Sequence, residues 1–420
     1  MALNTGTDMN LSYKPIAGGM AGAAYTRVQE PSAAVFGNPA TLTQLKGYHF
    51  ELGASFMQPE VVNRQYSQGY VNRSASVARN YILPDFAFTA EVAPGYVVGA
   101  GVAVNAGLGA DYRKHPVNAG AGLGLGGAGV GGAATIPLND ELISFGANVA
   151  GAAQLTDELS LGAALTVGFG LAQLGSTGNT TGLQGLTGNF GGTTSSVHDI
   201  SVSGAVGATY KPIDQLSLST SVKAPLDYHF SRILATTVNG YEQYQNLNLE
   251  QPLEVEFGLA GNPTEELLLE ADAVWKNWSG ANAYKDLFQD QFLALLGAQY
   301  SYEGWSFRGG YSYATPLLRD NPSGTIGNFA GIGTLPFNTP VPGVLNYNDL
   351  VKVVQTTLVP VVWQHTLTAG LGYRFTESFR VDGFGAYSFE GTVTRNTLAL
   401  GTYQTNASQW TIGAGVNFTF

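Results

Sequence analysis

The sequence predicts a fourteen-stranded antiparallel transmembrane β-barrel with an N-terminal plug inside its lumen, and three observations predict it. Charged residues are 12% of the 420, about half the usual share for a soluble globular protein. From Tyr48 to Phe420 apolar and polar residues alternate with period two, the pattern of strands with two unlike faces. No segment suits a spanning helix: 119–138 is uncharged over a full spanning length, yet it holds eight glycines and Pro137. The remaining way across a bilayer is a closed barrel, in which every backbone group pairs with a neighbouring strand.

The chain divides at residue 46, with 1–46 as plug, or hatch, and 47–420 as barrel. The first part shows no sustained alternation, and its charges are sparse. Ile16, Met20, Val28, Val35, Phe36, Leu42 and Leu45 make it too apolar for a solvated tail, whereas a barrel lumen accommodates it. A small-residue run, Ala17 to Ala24, suits close backbone packing. The segment Val35-Phe36-Gly37-Asn38-Pro39-Ala40-Thr41-Leu42 follows. Pro39 fixes its own φ and keeps Asn38 out of the helical region, so Asn38 caps a short helix reaching toward Leu45.

In the first strand Tyr48, Phe50, Leu52, Ala54 and Phe56 oppose His49, Glu51, Gly53 and Ser55. Phe86, Phe88, Ala90 and Val92 mark the second, and the turn Ala93-Pro94-Gly95 leads into a third, Tyr96 to Asn105. Six short turns, at Ala93-Pro94-Gly95 and around 156–158, 211–214, 261–264, 303–304 and 376–377, alternate with seven long connections. The connections are 58–81, 113–140, 174–197, 233–247, 277–288, 315–361 and 394–407, and the alternation gives fourteen strands. Short turns on one side and long loops on the other are the asymmetry of an outer-membrane barrel.

Charges fall on one face of the wall: Glu254 and Glu256 against Val255, Phe257 and Leu259; Arg380, Asp382 and Glu390 against Phe379, Val381 and Phe389. An Arg or Lys facing lipid at mid-depth costs roughly 2–4 kcal/mol, so the charged face lines the lumen. Glu266, Glu270 and Asp272 share an inner face and are expected to form salt bridges along the wall. The last strand turns Trp410, Ile412, Ala414, Val416, Phe418 and Phe420 outward.

The small-residue segment with its Asn38-Pro39-Ala40 turn, Leu83-Pro84-Asp85, Asn105 to Tyr112 and the terminal strand to Phe420 together resemble the FadL/TodX-type outer-membrane transporters. The resemblance covers nearly the whole chain and implies passive uptake of long-chain fatty acids or hydrocarbons across a Gram-negative outer membrane. It implies capture by the loops, an apolar inner pocket gated by the plug, and lateral release through a kink in the third strand. On this reading Asn38, Pro39 and Ala40 gate the pocket. Met20, Phe36, Leu42 and Leu45 are candidates for its floor, from residue type. Asn105, Gly107 and Gly109 belong to the lateral opening, since Gly107 aligns with the kink, and glycine within a strand marks a bulge or bend. The partners implied are a hydrophobic small molecule, outer-membrane lipid and lipopolysaccharide, with the protein a monomer.

Other chemistry finds little support. No cysteine is present, so there is neither a disulfide framework nor a thiol metal site, and the histidines show no metal-ligand spacing. No cofactor or metal motif is visible, and a net charge of −11 with no basic stripe argues against nucleic acid. Gly122-Leu-Gly124-Leu-Gly-Gly127 spells a dinucleotide fingerprint without the βαβ context it needs. His229-Phe230-Ser231 brings to mind a lipid-active hydrolase, yet Leu226, Tyr228 and Phe230 form the expected outward set, leaving His229 and Ser231 inward or above the rim. The protein is therefore expected not to be an enzyme. Two other readings stay open on the residues: a general porin, and a barrel adhesin or lipid-active enzyme. The N-terminus from Met1 lacks a basic and an apolar region and reads as a mature exported chain whose signal was replaced.

Overall fold

The computed structural model describes residues 2–3, 6–67, 70–118, 135–176, 192–193, 196–238, 241–320, 322, 347–360, 362–397 and 401–420. The glycine-rich run 119–134, with its Gly122–Gly127 fingerprint, lies outside the described residues. Fourteen antiparallel strands form the wall: β1 (Tyr48–Ser67), β2 (Tyr81–Ala93), β3 (Tyr96–Asp111), β4 (Leu138–Gln154), β5 (Leu159–Ser176), β6 (Val197–Ile213) and β7 (Leu216–Lys223). The second half comprises β8 (Glu254–Gly261), β9 (Leu267–Lys276), β10 (Gln291–Tyr302), β11 (Trp305–Ala314), β12 (His365–Thr376), β13 (Phe379–Asn396) and β14 (Thr402–Thr419). β14 pairs back onto β1, with Phe50 opposite Phe418 and Leu52 opposite Val416, and this closes the barrel.

Burial is inverted relative to a water-soluble protein. Leu52, Phe257, Leu296 and Ile412 are exposed, while Ser219, Glu256, Asp272, Gln299, Arg308 and Asp382 are buried. That arrangement is stable only with hydrocarbon outside. At the short-turn end a run of ring contacts, Trp305–Tyr373–Phe375–Phe379–Phe418–Phe420, has centroid separations of 4.5 to 6.4 Å. Aromatic rings with one wet and one greasy side suit the membrane boundary.

Three expectations need correction. The first strand runs on to Ser67 rather than ending before 58, and pairs with Tyr70–Ala75; here the inner face carries the buried polar Asn63 and Gln65 while the outer face has left the hydrocarbon, so the apolar–polar alternation fades. After Lys223, Ala224-Pro225 takes the chain out of the wall, and 226–251 forms a hairpin of its own, Leu226–Val238 against Tyr241–Gln251. β7 pairs directly with β8. Tyr228 and Phe230 consequently point inward and are fully buried, whereas His229 is exposed. In β13 a bulge sets two residues, Phe389 and Glu390, against one, so Glu390 leaves the face of Arg380 and Asp382. It is exposed and accepts a hydrogen bond from Asn406 Nδ2 at 3.0 Å.

The loop-end core gathers Tyr228, Phe230 and Leu249 of the hairpin with Leu142, Trp278, Leu287, Leu317 and Val351. Val351 comes from helix α2 (Tyr347–Thr357), and Trp278, Tyr284 and Phe288 contact one another at 5.2 to 5.5 Å. In the lumen below, residues 6–45 include helix α1 (Pro31–Phe36) and two 3-10 turns, Ala17–Met20 and Pro39–Gln44. Within 6–45 only Ser12, Arg27, Gln29, Thr43 and Gln44 are not buried.

Candidate functional site

The N-terminal segment seats where the wall has no side chains. Gly162 of β5 and Gly207 of β6 oppose each other in register, and the Asn38–Pro39 turn lies on the pair. A β-carbon at Gly162 would come within 2.6 Å of the Pro39 carbonyl oxygen, and one at Gly207 would overlap Asn38 Oδ1. Gly297 of β10 and Gly310 of β11 form a second pair beneath Met20 and Ala21. Gly53 of β1 and Gly415 of β14 form a third beneath Pro15. Each pair makes a notch: backbone of the N-terminal segment enters it at Gly162 and Gly310, and the Pro15 ring enters it at Gly53 and Gly415.

Asn38 caps the turn, accepting from the Ala40 amide at 3.1 Å and donating through Nδ2 to the Tyr25 and Ala208 carbonyls at 3.2 and 3.4 Å. Carboxyls of the wall hold other backbone donors. Glu51 accepts from the Ser32 amide and hydroxyl, both at 2.9 Å, at the start of α1. Glu270 accepts from the amides of Thr26 at 2.7 Å and Arg27 at 3.2 Å, and Asp272 from that of Tyr25 at 3.3 Å. Glu270 and Asp272 therefore hold backbone rather than wall cations, and Glu266 is exposed in the turn 262–266. Lys276 lies 3.5 Å from Asp8, and Glu254 accepts from Asn10 Nδ2 at 2.7 Å. Glu30 accepts from the amides of Ile16 and Ala17, each at 2.8 Å, and so caps the first 3-10 turn. Burial pushes its carboxyl up to about 8, against the opposing pull of those two amides.

The wall opens beside β3. The last β2–β3 pair before the opening is Asp85 with Ala103, and β3 then shifts register against β4 between Val104 and Ala106. Beyond the shift β3 stays on β4, with Ala106 opposite Ser144 and Gly107 opposite Ile143, while its other edge is free of β2. Residues 103 to 107, 109 and 110 are all buried, so both faces of this stretch have left the lipid surface. The chain's own Ala2 and Leu3 pair with the freed edge at Leu108 and Gly107. Met9, Tyr13, Met57, Leu83 and Val104 form an apolar cluster beside it.

The residues singled out from sequence thus fall in three places. Asn38, Pro39 and Ala40 are buried against the glycine pair of β5 and β6. Met20, Phe36, Leu42 and Leu45 are buried in the core between this segment and the wall, Phe36 over Gly101 and Leu42 over Gly99. Asn105, Gly107 and Gly109 lie along the opening, with Asn105 at the register shift. A polar cavity of about 300 Å³ lies at the short-turn end, lined in part by Arg27, Gln44, Glu265 and Glu266, and touches none of these residues. Sequence reasoning missed Asp8, Tyr13 and Tyr25, and it missed the paired glycines. Inward parity marked each glycine, but only the register brings two of them together. Among the described residues no three His, Asp or Glu side chains are grouped to hold a metal ion.

A barrel filled by its own N-terminus and parted beside its third strand matches one family model. The model, described as outer membrane protein transport protein (OMPP1/FadL/TodX), covers residues 10–321. The chain belongs to this family. As a FadL/TodX-family protein it is an outer-membrane transport channel, a multi-pass barrel of the Gram-negative envelope, and not an enzyme. Solved structures share the fold. The Pseudomonas putida toluene transporter TodX aligns with a TM-score of 0.69 at 18% identity, covering 97% of this chain and 98% of that one. A Pseudomonas aeruginosa FadL homologue gives 0.70 at 13% over the same shares, and the Ralstonia pickettii toluene transporter TbuX gives 0.64 at 18%, again over the same shares. No curated protein sequence matches the chain.

Proposed function

We propose that this transporter passes uncharged hydrocarbons from its loop-end core into the lumen and out sideways beside β3, with residues 1–46 as the plug that gates the route and 47–420 as the barrel. The observation that carries the reading is the edge of β3 beyond Ala103, which is free of β2 and met instead by the two-residue pairing of Ala2 and Leu3 and, at its far end, by Ser76 and Val77 on Asp111. A two-residue pairing is readily undone, whereas the full ladders elsewhere in the wall are not. Asn38, Pro39 and Ala40 anchor the plug on this reading, Met20, Phe36, Leu42 and Leu45 give it an apolar body, and Asn105, Gly107 and Gly109 shape the exit. A hydrophobic molecule gains nothing from a water-filled pore, so a path along apolar surface into the bilayer is the efficient one.

Charge narrows the ligand. Among the described residues the buried cations Lys14, Lys276 and Arg308 lie 3.9, 3.5 and 3.0 Å from Asp85, Asp8 and Asp382. Glu30, Glu51, Glu256, Glu270 and Asp272 add further buried carboxyls. A fatty-acid carboxylate entering this lumen would find its cations taken and would lose its hydration. An uncharged hydrocarbon avoids both costs, in keeping with the toluene named for two of the similar structures. The protein works as a monomer on this reading, with its outer face against lipid and lipopolysaccharide.

The test is uptake of radiolabelled toluene and oleate by cells expressing the protein or its Gly107→Val variant. Gly107 is buried with its backbone between Ile143 and Leu3, so a valine there fills the opening. Toluene uptake by the parent, lost in an assembled Gly107→Val barrel, supports the reading. Undiminished uptake by that variant sinks lateral release, and preference for oleate sinks the uncharged ligand.

A further inference from the structure

We propose that the 226–251 hairpin latches the wall bulge of β3 through the hydroxyl of Tyr228, with Ser144 as the positioning residue between them. The proposal rests on lateral release as the exit route and adds to it a mechanical link from the loops.

The link is a chain of three buried polar groups. Ser144 Oγ donates to Asn105 Oδ1 at 2.6 Å and is hydrogen-bonded to the Tyr228 hydroxyl. A serine has a single hydroxyl proton, so with that proton on Asn105 the Tyr228 hydroxyl must be the donor to Ser144. The relay runs in one direction, from hairpin to β4 to β3. Tyr228 and Ser144 are fully buried and Asn105 is 7% exposed, so water cannot replace a lost partner. Its end point is the site where the wall changes register: Asn105 is the extra residue between the Val104–Phe145 and Ala106–Ser144 pairs. The hydroxyl of Ser144 therefore fixes the side chain of the residue at which β3 turns inward.

The start of the relay is placed with equal care. Pro225 ends β7, the hairpin folds inward, and Tyr228 and Phe230 lie stacked over Gly168 and Gly170 of β5, where side chains would collide with them. The same hairpin supplies Leu226, Ile233, Leu234, Leu247 and Leu249 to the loop-end core. A hydrophobic molecule entering that core must part the hairpin from its neighbours, and Tyr228 cannot shift without releasing Ser144. Capture would thus loosen the bulge at the exit.

The test compares Tyr228→Phe, Ser144→Ala, Ser144→Thr and Phe230→Leu in the full chain. Amide hydrogen exchange of 104–110 is followed in detergent, and toluene uptake in cells. Tyr228→Phe and Ser144→Ala are expected to speed exchange of that segment by about fivefold, the effect of one lost hydrogen bond. Ser144→Thr keeps the hydroxyl and is expected to restore the slow rate. Phe230→Leu keeps all three polar groups and trims only the ring stacked on Tyr228, and is expected to speed exchange of 104–110 by less than either Tyr228→Phe or Ser144→Ala. Unaltered exchange in both Tyr228→Phe and Ser144→Ala overturns the latch, as does equal acceleration by Phe230→Leu, which would assign the effect to packing. Faster exchange with unaltered uptake keeps the latch and instead removes lateral release as the route it serves.

Discussion

Asn38 and Gly207, 169 positions apart in the chain, occupy adjoining space: a β-carbon at residue 207 would overlap the Asn38 amide oxygen. The glycine is thus half of a seat whose other half is Gly162, directly across the β5–β6 ladder. Glycine content in this barrel is partly a record of where the N-terminal segment touches the wall.

Gly207→Ala is accordingly expected to leave the barrel assembled while lifting the Asn38–Pro39 turn from its seat. Overpacking of this kind costs about 1–3 kcal/mol. Proteolysis of residues 30–45 should become faster, and single-channel conductance in planar bilayers should rise. Gly204→Ala serves as control, since a β-carbon there meets only the Ala164 carbonyl, at 3.1 Å. Equal behaviour of the two variants would show that the seat has no energetic weight.

Glu51 holds both donors of Ser32 with its two carboxylate oxygens. In Glu51→Gln one of those acceptors becomes a donor, and a buried Ser32 group loses its partner. The expected cost is about 1–3 kcal/mol, read as faster amide exchange across 31–36. Exchange as slow as in the parent would mean that the Ser32 bonds do not hold α1.

Glu30 gives the segment a pH dependence of predictable sign. Its folded-state value near 8 lies above the ordinary 4.5. Its contribution is fully present below the ordinary value and is lost as pH rises through about 8. Proteolysis around residues 14–22, or exchange corrected for its intrinsic pH dependence, should therefore accelerate as pH rises from about 4.5 to about 8 and level off above it. Glu30→Gln, which cannot ionise, should flatten that profile. An identical profile in the variant would assign the dependence to another group.

Much of the fold was legible because its signals are local. Alternation between Tyr48 and Phe56 needs only the pleat of one strand, and the single apolar face follows from the solvent on each side. The number of wall strands follows from short turns alternating with long loops. The cap at Asn38 follows from Pro39 beside it, and the apolar character of Met20, Phe36 and Leu42 foretold that their segment would be buried.

The tertiary structure decided what depends on residues distant in sequence. The register of β5 on β6 made Gly162 and Gly207 a notch, and a shift of one residue would have put their neighbours there instead. Bulges at Asn105 and at Phe389–Glu390 exchange faces midway along a strand, which a period-two pattern read from one end does not anticipate. Tyr228 and Phe230 alternate like wall residues, yet Pro225 turns them into the barrel, where Gly168 and Gly170 leave room for their rings. Alternation says that a side chain has a greasy side to hide; whether lipid or protein hides it depends on where the backbone goes, and that is fixed by contacts between strands far apart in the chain.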